Sequence, residues 1–229
     1  MSPAPSQTMP RAAGPGRPKD MGKRAAILAA ARRMFTSQGY EGTSMDQIAG
    51  EAGVSKLTVY SHFGDKETLF AAVVRVHCET QLPDDLFDPT PETPLQERLM
   101  DIARAFHAMV SSPEAIAGHR MLCTPQLAGS PQSRLFWEAG PQRVHDAFEQ
   151  LLQRRIKAGD LAIDDTSRAA GQFFALLKGQ SHARQVFGCC DGSTAAAAEV
   201  EAHLAASVDL FLRAYATGPV AATGPVRKR

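Results

Sequence analysis

Between Gly53 and Phe70 the sequence reads GVSKLTVYSHFGDKETLF. Two turns' worth of residues carry Ser55, Lys56, Thr58, Tyr60, Ser61 and His62, with Lys66 just beyond Gly64. At helical spacing Val59 and Phe63 face inward, with Val54 just ahead of them. That leaves Lys56, Leu57, Thr58, Tyr60, Ser61 and His62 largely outward. A helix surface that serves stability alone usually shows Glu and Lys. Hydroxyls, a phenol, an imidazole and a cation suit phosphate oxygens and base edges instead. The plainer reading of Tyr60 and His62 is that they cap a small core.

Other chemistries find less support. No nucleophile elbow, phosphate-cradling glycine loop or paired-carboxylate motif occurs, so neither catalysis nor a cofactor is expected. The seven histidines are scattered, without an H-x-x-x-H or Cys/His cluster, so no metal site is expected. Cys78, Cys123, Cys189 and Cys190 form no C-x-x-C pair. No apolar signal segment precedes them and no apolar run is long enough to span a bilayer, so they read as reduced thiols of a cytoplasmic protein with no membrane partner. The adjacent Cys189 and Cys190, flanked by glycine, leave redox sensing open beside the reading of ordinary loop thiols.

The elements that must position the polar face can be read around it. Residues 1–22 contain five prolines and three glycines and read as a disordered basic arm. From about Lys23, Ile27, Leu28, Ala31, Met34 and Phe35 recur at helical spacing up to Gly39. Ser44 and Gln47 form a capping box that opens a second helix, ending near Gly53. Ser55 caps the third, and Asp65 a fourth that runs through Leu69, Phe70, Val73, Val74 and Val76. Two short helices joined by Gly53-Val54-Ser55 make a helix-turn-helix. A Pro- and Asp-rich linker follows, from Pro83 to Pro94. Beyond it the pattern is helical throughout. Ser112-Pro113 and Ser130-Pro131 start helices, Gly140-Pro141 is a break, and long apolar stripes follow from Val144 to Ile156, from Asp165 to Val186 and from Ala195 to Tyr215. The expected fold is all-α: a three-helix DNA-binding unit (23–68), a larger helical unit (69–216) and a basic tail (217–229).

Charge agrees with this division. Residues 1–66 hold nine Lys/Arg against five Asp/Glu, a net of +4, and the remainder holds 16 against 19, a net of −3. A basic front on an acidic body is what a polyanion-binding front end requires, although a chance fluctuation gives the same sum.

The run from Ile27 to Phe70 resembles the DNA-binding domain of the TetR family of bacterial transcriptional repressors. The likeness lies in Phe35…Gly39-Tyr40, Thr43-Ser44, Ile48-Ala49, Ala52-Gly53-Val54-Ser55, Val59-Tyr60, His62-Phe63 and Lys66-Glu67. Residues 134–180 resemble the AefR-like C-terminal domain of one TetR subgroup. The resemblance implies that Thr43 and Ser44 hold a phosphate, that Ser55 and Lys56 begin the recognition helix, and that Tyr60, His62 and Lys66 serve the DNA backbone. Base readout then falls to Lys56, Leu57, Thr58 and Ser61. Many relatives carry glycine where this chain has Leu57, which can instead meet a thymine methyl. The arm Gly16–Lys19 reads either as a minor-groove or phosphate contact or as a solubilising tail.

The resemblance further implies a homodimer built on the last two long helices, a palindromic double-stranded operator and release by a small hydrophobic inducer. The helix from Asp165 to Val186 points the same way, because Ala169, Ala170, Phe173, Phe174, Leu176 and Leu177 spread over more than one face. Candidate inducer contacts are Phe106, His107, Met109, His119, Met121, Phe136, Trp137 and Phe173, with Trp137 favoured by the neighbouring helix break. The alternatives are a redox-gated repressor working through Cys189 and Cys190, and a small-molecule carrier with a vestigial helix-turn-helix.

Overall fold

A computed structural model describes residues 20–88, 93–189 and 197–218. Among these the chain forms helices α1 (Met21–Gln38), α2 (Met45–Glu51), α3 (Lys56–Phe63), α4 (Lys66–Gln81), α5 (Leu95–Val110), α6 (Pro113–Leu122), α7 (Pro131–Ala139), α8 (Pro141–Lys157), α9 (Thr166–Phe187) and α10 (Ala197–Tyr215), with a short 3-10 turn at Asp84–Phe87. The all-α expectation holds over the described residues, where the nearest approach to a strand is one isolated bridge between Leu161 and Ala216. The arm at Gly16–Lys19, the tail beyond residue 218 and Cys190 lie outside the described residues.

Capping chemistry sets most helix starts. Asp20 accepts from the amides of Gly22 and Lys23, and Ser44 with Gln47 closes the capping box. Ser55, Asp65, Ser112, Ser130 and Asp165 each accept from the amide three residues on, satisfying a donor that the helix itself leaves free. Gly53, at φ 64°, supplies the turn between α2 and α3, where a side chain would be strained. Gly140 ends α7 and begins α8, as the Gly-Pro pair predicts.

The small unit is held by Ile27, Ala31, Phe35, Ile48, Val59, Phe63 and Leu69, all buried. The larger unit centres on phenylalanine. Phe148 stacks on Phe173 at 4.6 Å, and Phe211 meets Phe173 edge-on at 5.0 Å. The two cores are continuous through Phe70, Val74 and Cys78 of α4. That helix runs unbroken across the boundary expected after residue 68.

Two departures from the sequence reading matter later. The apolar stripe of α9 does not need a partner chain to cover it: Ala169, Ala170, Phe173, Phe174 and Leu177 are buried within one protomer, and Leu176 is half-buried. Helices α5, α8 and α10 enclose α9 from several sides. The argument for a dimer from that stripe therefore fails.

The second departure is a kink inside α9 at Gly179, where φ is 54° and ψ −166°. Only glycine adopts this conformation readily. Here the ring of His203 from α10 fills the space, so that a Cβ at Gly179 would lie 2.8 Å from it. The same ring reaches Leu177 O at 3.3 Å, and Ser207 Oγ donates to Leu176 O at 3.5 Å, so the interrupted helix regains partners from α10. Gly179→Ala should thus lower stability by roughly 2–4 kcal/mol, from backbone strain and the clash together. Thermal unfolding would show this as a fall of several degrees, and an unchanged melting temperature would mean that the kink is not held as described.

Candidate functional site

The helix-turn-helix places its polar face on the outside. Leu57 is 79% exposed and Tyr60 41%; Ser55, Lys56 and Ser61 are also exposed, while Thr58 and His62 are half-buried. Local bonds pre-set several of these groups. Ser55 Oγ and Thr58 Oγ1 lie 2.8 Å apart, and Ser61 Oγ donates to Thr58 O. Lys56 Nζ bonds to Asp46 of α2 at 2.9 Å, which raises its pKa, and lies 5.9 Å from the Tyr60 ring centre. Both charges of that pair are well exposed, so a polyanion can draw the lysine away at small cost. Ser44 is exposed at the start of α2, its hydroxyl and amide both engaged with Gln47.

Thr43 and Lys66 are directed elsewhere. Thr43 is 1% exposed; its hydroxyl donates to Gly39 O and its amide to Tyr40 O. Lys66 turns toward the protein, donating to Tyr40 O at 2.9 Å and Thr43 O at 3.1 Å, with its ammonium 4.1 Å from the centre of the Tyr40 ring. Tyr40 stacks with Phe35 and meets Phe70 edge-on. Burial and the nearby Glu67 carboxylate push its phenol well above the usual range. These two family positions hold the turn between α1 and α2 against the start of α4. The sequence gives no sign of this, because a lysine at a helix start reads equally as a solvent cation.

Beneath this layer is a cavity of about 470 Å³, mainly apolar, between α1 and α4 on one side and α5 to α9 on the other. Of the expected contacts, Phe106, Met109, His119, Met121, Phe136 and Trp137 line it. Trp137 is 55% exposed, so it stands at the mouth, where its indole N–H donates to Gln142. Phe173 does not reach the cavity but lies at 0% exposure in the phenylalanine core. His107 lies outside the lining as well; burial and His203 lower its pKa.

The sequence reading missed the α1 and α4 walls, contributed by Phe35, Phe70, Val73, Val74 and His77, and it missed Lys178. For Lys178 the available signal is a lysine one turn beyond Phe174, directly after the apolar run from Phe173 to Leu177. His119 and His182 pack edge-on at 5.2 Å nearby. Burial first, and then the surrounding basic groups His119, Lys178 and His107, pulls His182 down to about 4, so it is neutral near pH 7. The corner of α7 and α8 presses on α4: a Cβ at Gly140 would lie 2.9 Å from Val74 and 3.1 Å from Cys78. Elsewhere, His145, Asp146 and Glu149 come together on α8, but each is bonded to a neighbour, Ser167 O, Gln142 and Thr166 respectively.

A profile of the bacterial regulatory proteins of the tetR family matches residues 27–73, and one of the AefR-like transcriptional repressor C-terminal domain matches residues 97–217. The chain belongs to the TetR family. The transcriptional repressor AcnR of Corynebacterium efficiens is 28% identical over 148 residues, spanning 64% of this chain and 72% of that protein. A solved structure from Mesorhizobium loti MAFF303099, assigned to the TetR family, superposes with a TM-score of 0.72 at 29% identity, covering 88% of this chain and all of that one. The flavonoid-responsive regulator FrrA superposes with a TM-score of 0.69 at 31% identity, covering 86% and 99%. As a TetR-family member the chain is a DNA-binding transcriptional regulator, and no helix among its described residues is long and apolar enough to cross a membrane.

The contacts with Tyr40 and Thr43 give Lys66 a structural position in the TetR-family fold, and its part in DNA binding is open to test. Lys66→Met should lower stability by about 1.5–3 kcal/mol, the usual contribution of hydrogen bonds to a charged group. The salt dependence of DNA binding should keep its slope. A slope flattened by about one unit at unchanged stability would make Lys66 a phosphate contact instead.

Proposed function

We propose that the protein is a dimeric repressor that binds a palindromic operator and leaves it when a small hydrophobic ligand fills the cavity. The observation that carries this reading is that α1 and α4, which share one core with the recognition helix, form one wall of the cavity. A ligand there competes with the contacts that hold α4, and α4 begins at Lys66, which grips the turn ahead of α2. Tilting α4 moves the recognition helix without any contact between ligand and DNA. Two recognition helices must lie about one DNA turn apart, roughly 34–36 Å, or a multiple of it, so a modest tilt spoils the fit. The repressor AcnR and the flavonoid-responsive FrrA support repression and small-molecule control respectively.

In this reading the N-terminal end of α3 enters the major groove. Lys56, Leu57, Thr58 and Ser61 meet base edges, while Ser44, Ser55, Tyr60 and His62 hold backbone phosphates. Thr43 and Lys66 position the unit rather than touch DNA. Because Leu57 is so exposed, Leu57→Ala should leave stability unchanged and relax discrimination at one base pair per half-site. Tyr60→Phe should weaken binding to all sequences alike, by about 0.5–1.5 kcal/mol. Anisotropy titrations against a panel of operator variants separate the two patterns, and a uniform loss with Leu57→Ala would remove it from base readout.

The dimer reading rests on a different face from the one the sequence suggested. On α10 the exposed Ala202, Ala206 and Leu210 fall on one side of a helix with about 3.6 residues per turn, with Glu199 and Arg213 at the two ends of the same strip. Antiparallel pairing of two copies about Ala206 sets Glu199 opposite the partner's Arg213 and Ala202 opposite the partner's Leu210. This is the self-complementarity that a two-fold interface requires. Arg213 gives its Nε to Asp209 at 2.8 Å, leaving its outer nitrogens to a partner. Glu199→Arg should weaken the dimer in sedimentation experiments, and adding Arg213→Glu should restore it. A single variant that dimerises like the parent would exclude this register.

The coupling itself is tested by ligand titration with and without operator. Linkage requires operator to weaken ligand binding by the factor with which ligand weakens operator binding, typically about 5- to 150-fold. Equal affinities would refute ligand release.

A further inference from the structure

The cavity is apolar in most of its wall, yet Lys178 reaches it from α9, one turn beyond Phe174 and directly ahead of the Gly179 kink. Its ammonium has no hydrogen-bond or ion-pair partner among the described residues. Burial lowers its pKa, and no carboxylate offsets the effect. The one carboxylate among the described lining residues is Glu114, and the group it acts on is His77. Two further polar atoms at the wall, His119 Nδ1 and His77 Nε2, are buried without a partner, and burial holds both imidazoles toward the neutral form. His119 and Lys178 both line the cavity, and after burial the charge of Lys178 lowers the His119 pKa further. Lys178 is half-buried, so its ammonium loses part of its hydration in the apolar wall without gaining a counter-charge. A volume of about 470 Å³ falls within the range of small-molecule sites, about 300–1,000 Å³.

We propose that the cavity receives an amphipathic carboxylate, its apolar body between Phe35, Phe70, Val74, Phe106 and Phe136 and its carboxylate on Lys178 with His119 beside it. The binding claim rests on the cavity alone; its effect on DNA rests on the ligand-release reading above. The carboxylate supplies the counter-charge that the chain withholds, so the acid binds more tightly than a neutral compound of the same shape. Lys178 is then the specificity residue of the pocket, and the Gly179 kink, braced by His203, is what fixes its direction.

The test uses matched acids and amides on the full-length protein: 2-naphthoate against 2-naphthamide for an aromatic body, and decanoate against decanamide for an aliphatic one. Calorimetric titration should show at least one acid binding about tenfold or more tightly than its amide, a factor typical of a charge-assisted contact. Lys178→Met should abolish that preference while raising the melting temperature of the empty protein, and Lys178→Arg should retain it. The proposal is overturned by equal binding of acid and amide, by no binding of either acid, by a preference that survives Lys178→Met, or by an empty Lys178→Met protein that melts lower or fails to fold. An acid that binds with the expected preference yet leaves operator affinity unchanged upholds the pocket chemistry and refutes ligand release.

Discussion

The Lys66 ammonium, held by two backbone carbonyls over the face of Tyr40, is the contact on which the rest of the molecule depends. It joins three pieces of chain that local structure leaves independent: the end of α1, the entry to α2 and the first turn of α4. A cation between two carbonyls and an aromatic face is directional, so it fixes the angle of α4 as well as its proximity. The rings of Phe35, Tyr40 and Phe70 pack on one another beneath it. Every longer-range consequence passes through α4, which is at once the last helix of the DNA-binding unit and a wall of the cavity.

That double membership explains the placement of the cavity. A ligand site wholly within α5 to α10 would have to shift a packed core before anything reached the recognition helix. Here Phe70, Val73, Val74 and His77 of α4 face the cavity directly, together with Phe35 of α1. Beside the cavity α4 is braced by the α7–α8 corner, where the missing side chain of Gly140 allows close contact with Val74 and Cys78. The helix thus borders both a close-packed corner and a space that can be filled.

The phenylalanine core of the larger unit has another task. Phe148, Phe173, Phe174 and Phe211 pack α8, α9 and α10 into one block. With most of its large apolar residues turned into this block, α10 leaves Ala202 and Ala206 on its outer face. The kink at Gly179 interrupts α9 directly after Lys178, the last residue of that helix to line the cavity.

Local signals in the sequence determined the helices, their caps and the polar surface of α3. Ser44 with Gln47, Ser55, Asp65 and the two Ser-Pro pairs act within one turn of chain, so neighbouring residues suffice to read them. The resemblance from Ile27 to Phe70 identified the family for a similar reason, since the DNA-binding unit is short and nearly contiguous in sequence. Side-chain direction over long separations was decided only by the tertiary structure. Lys66 meets carbonyls 26 and 23 residues away, Thr43 disappears inside, and Phe173 goes to the core while its neighbour Phe174 reaches the cavity. Helical periodicity gives a residue's face but not what that face meets. Adjacent phenylalanines differ by about 100° around the helix, enough to send one to a partner ring and the other to an open space. The kink at Gly179 was hidden for the same reason: a glycine amid helix-forming residues is unremarkable until His203, on another helix, occupies the space beside it.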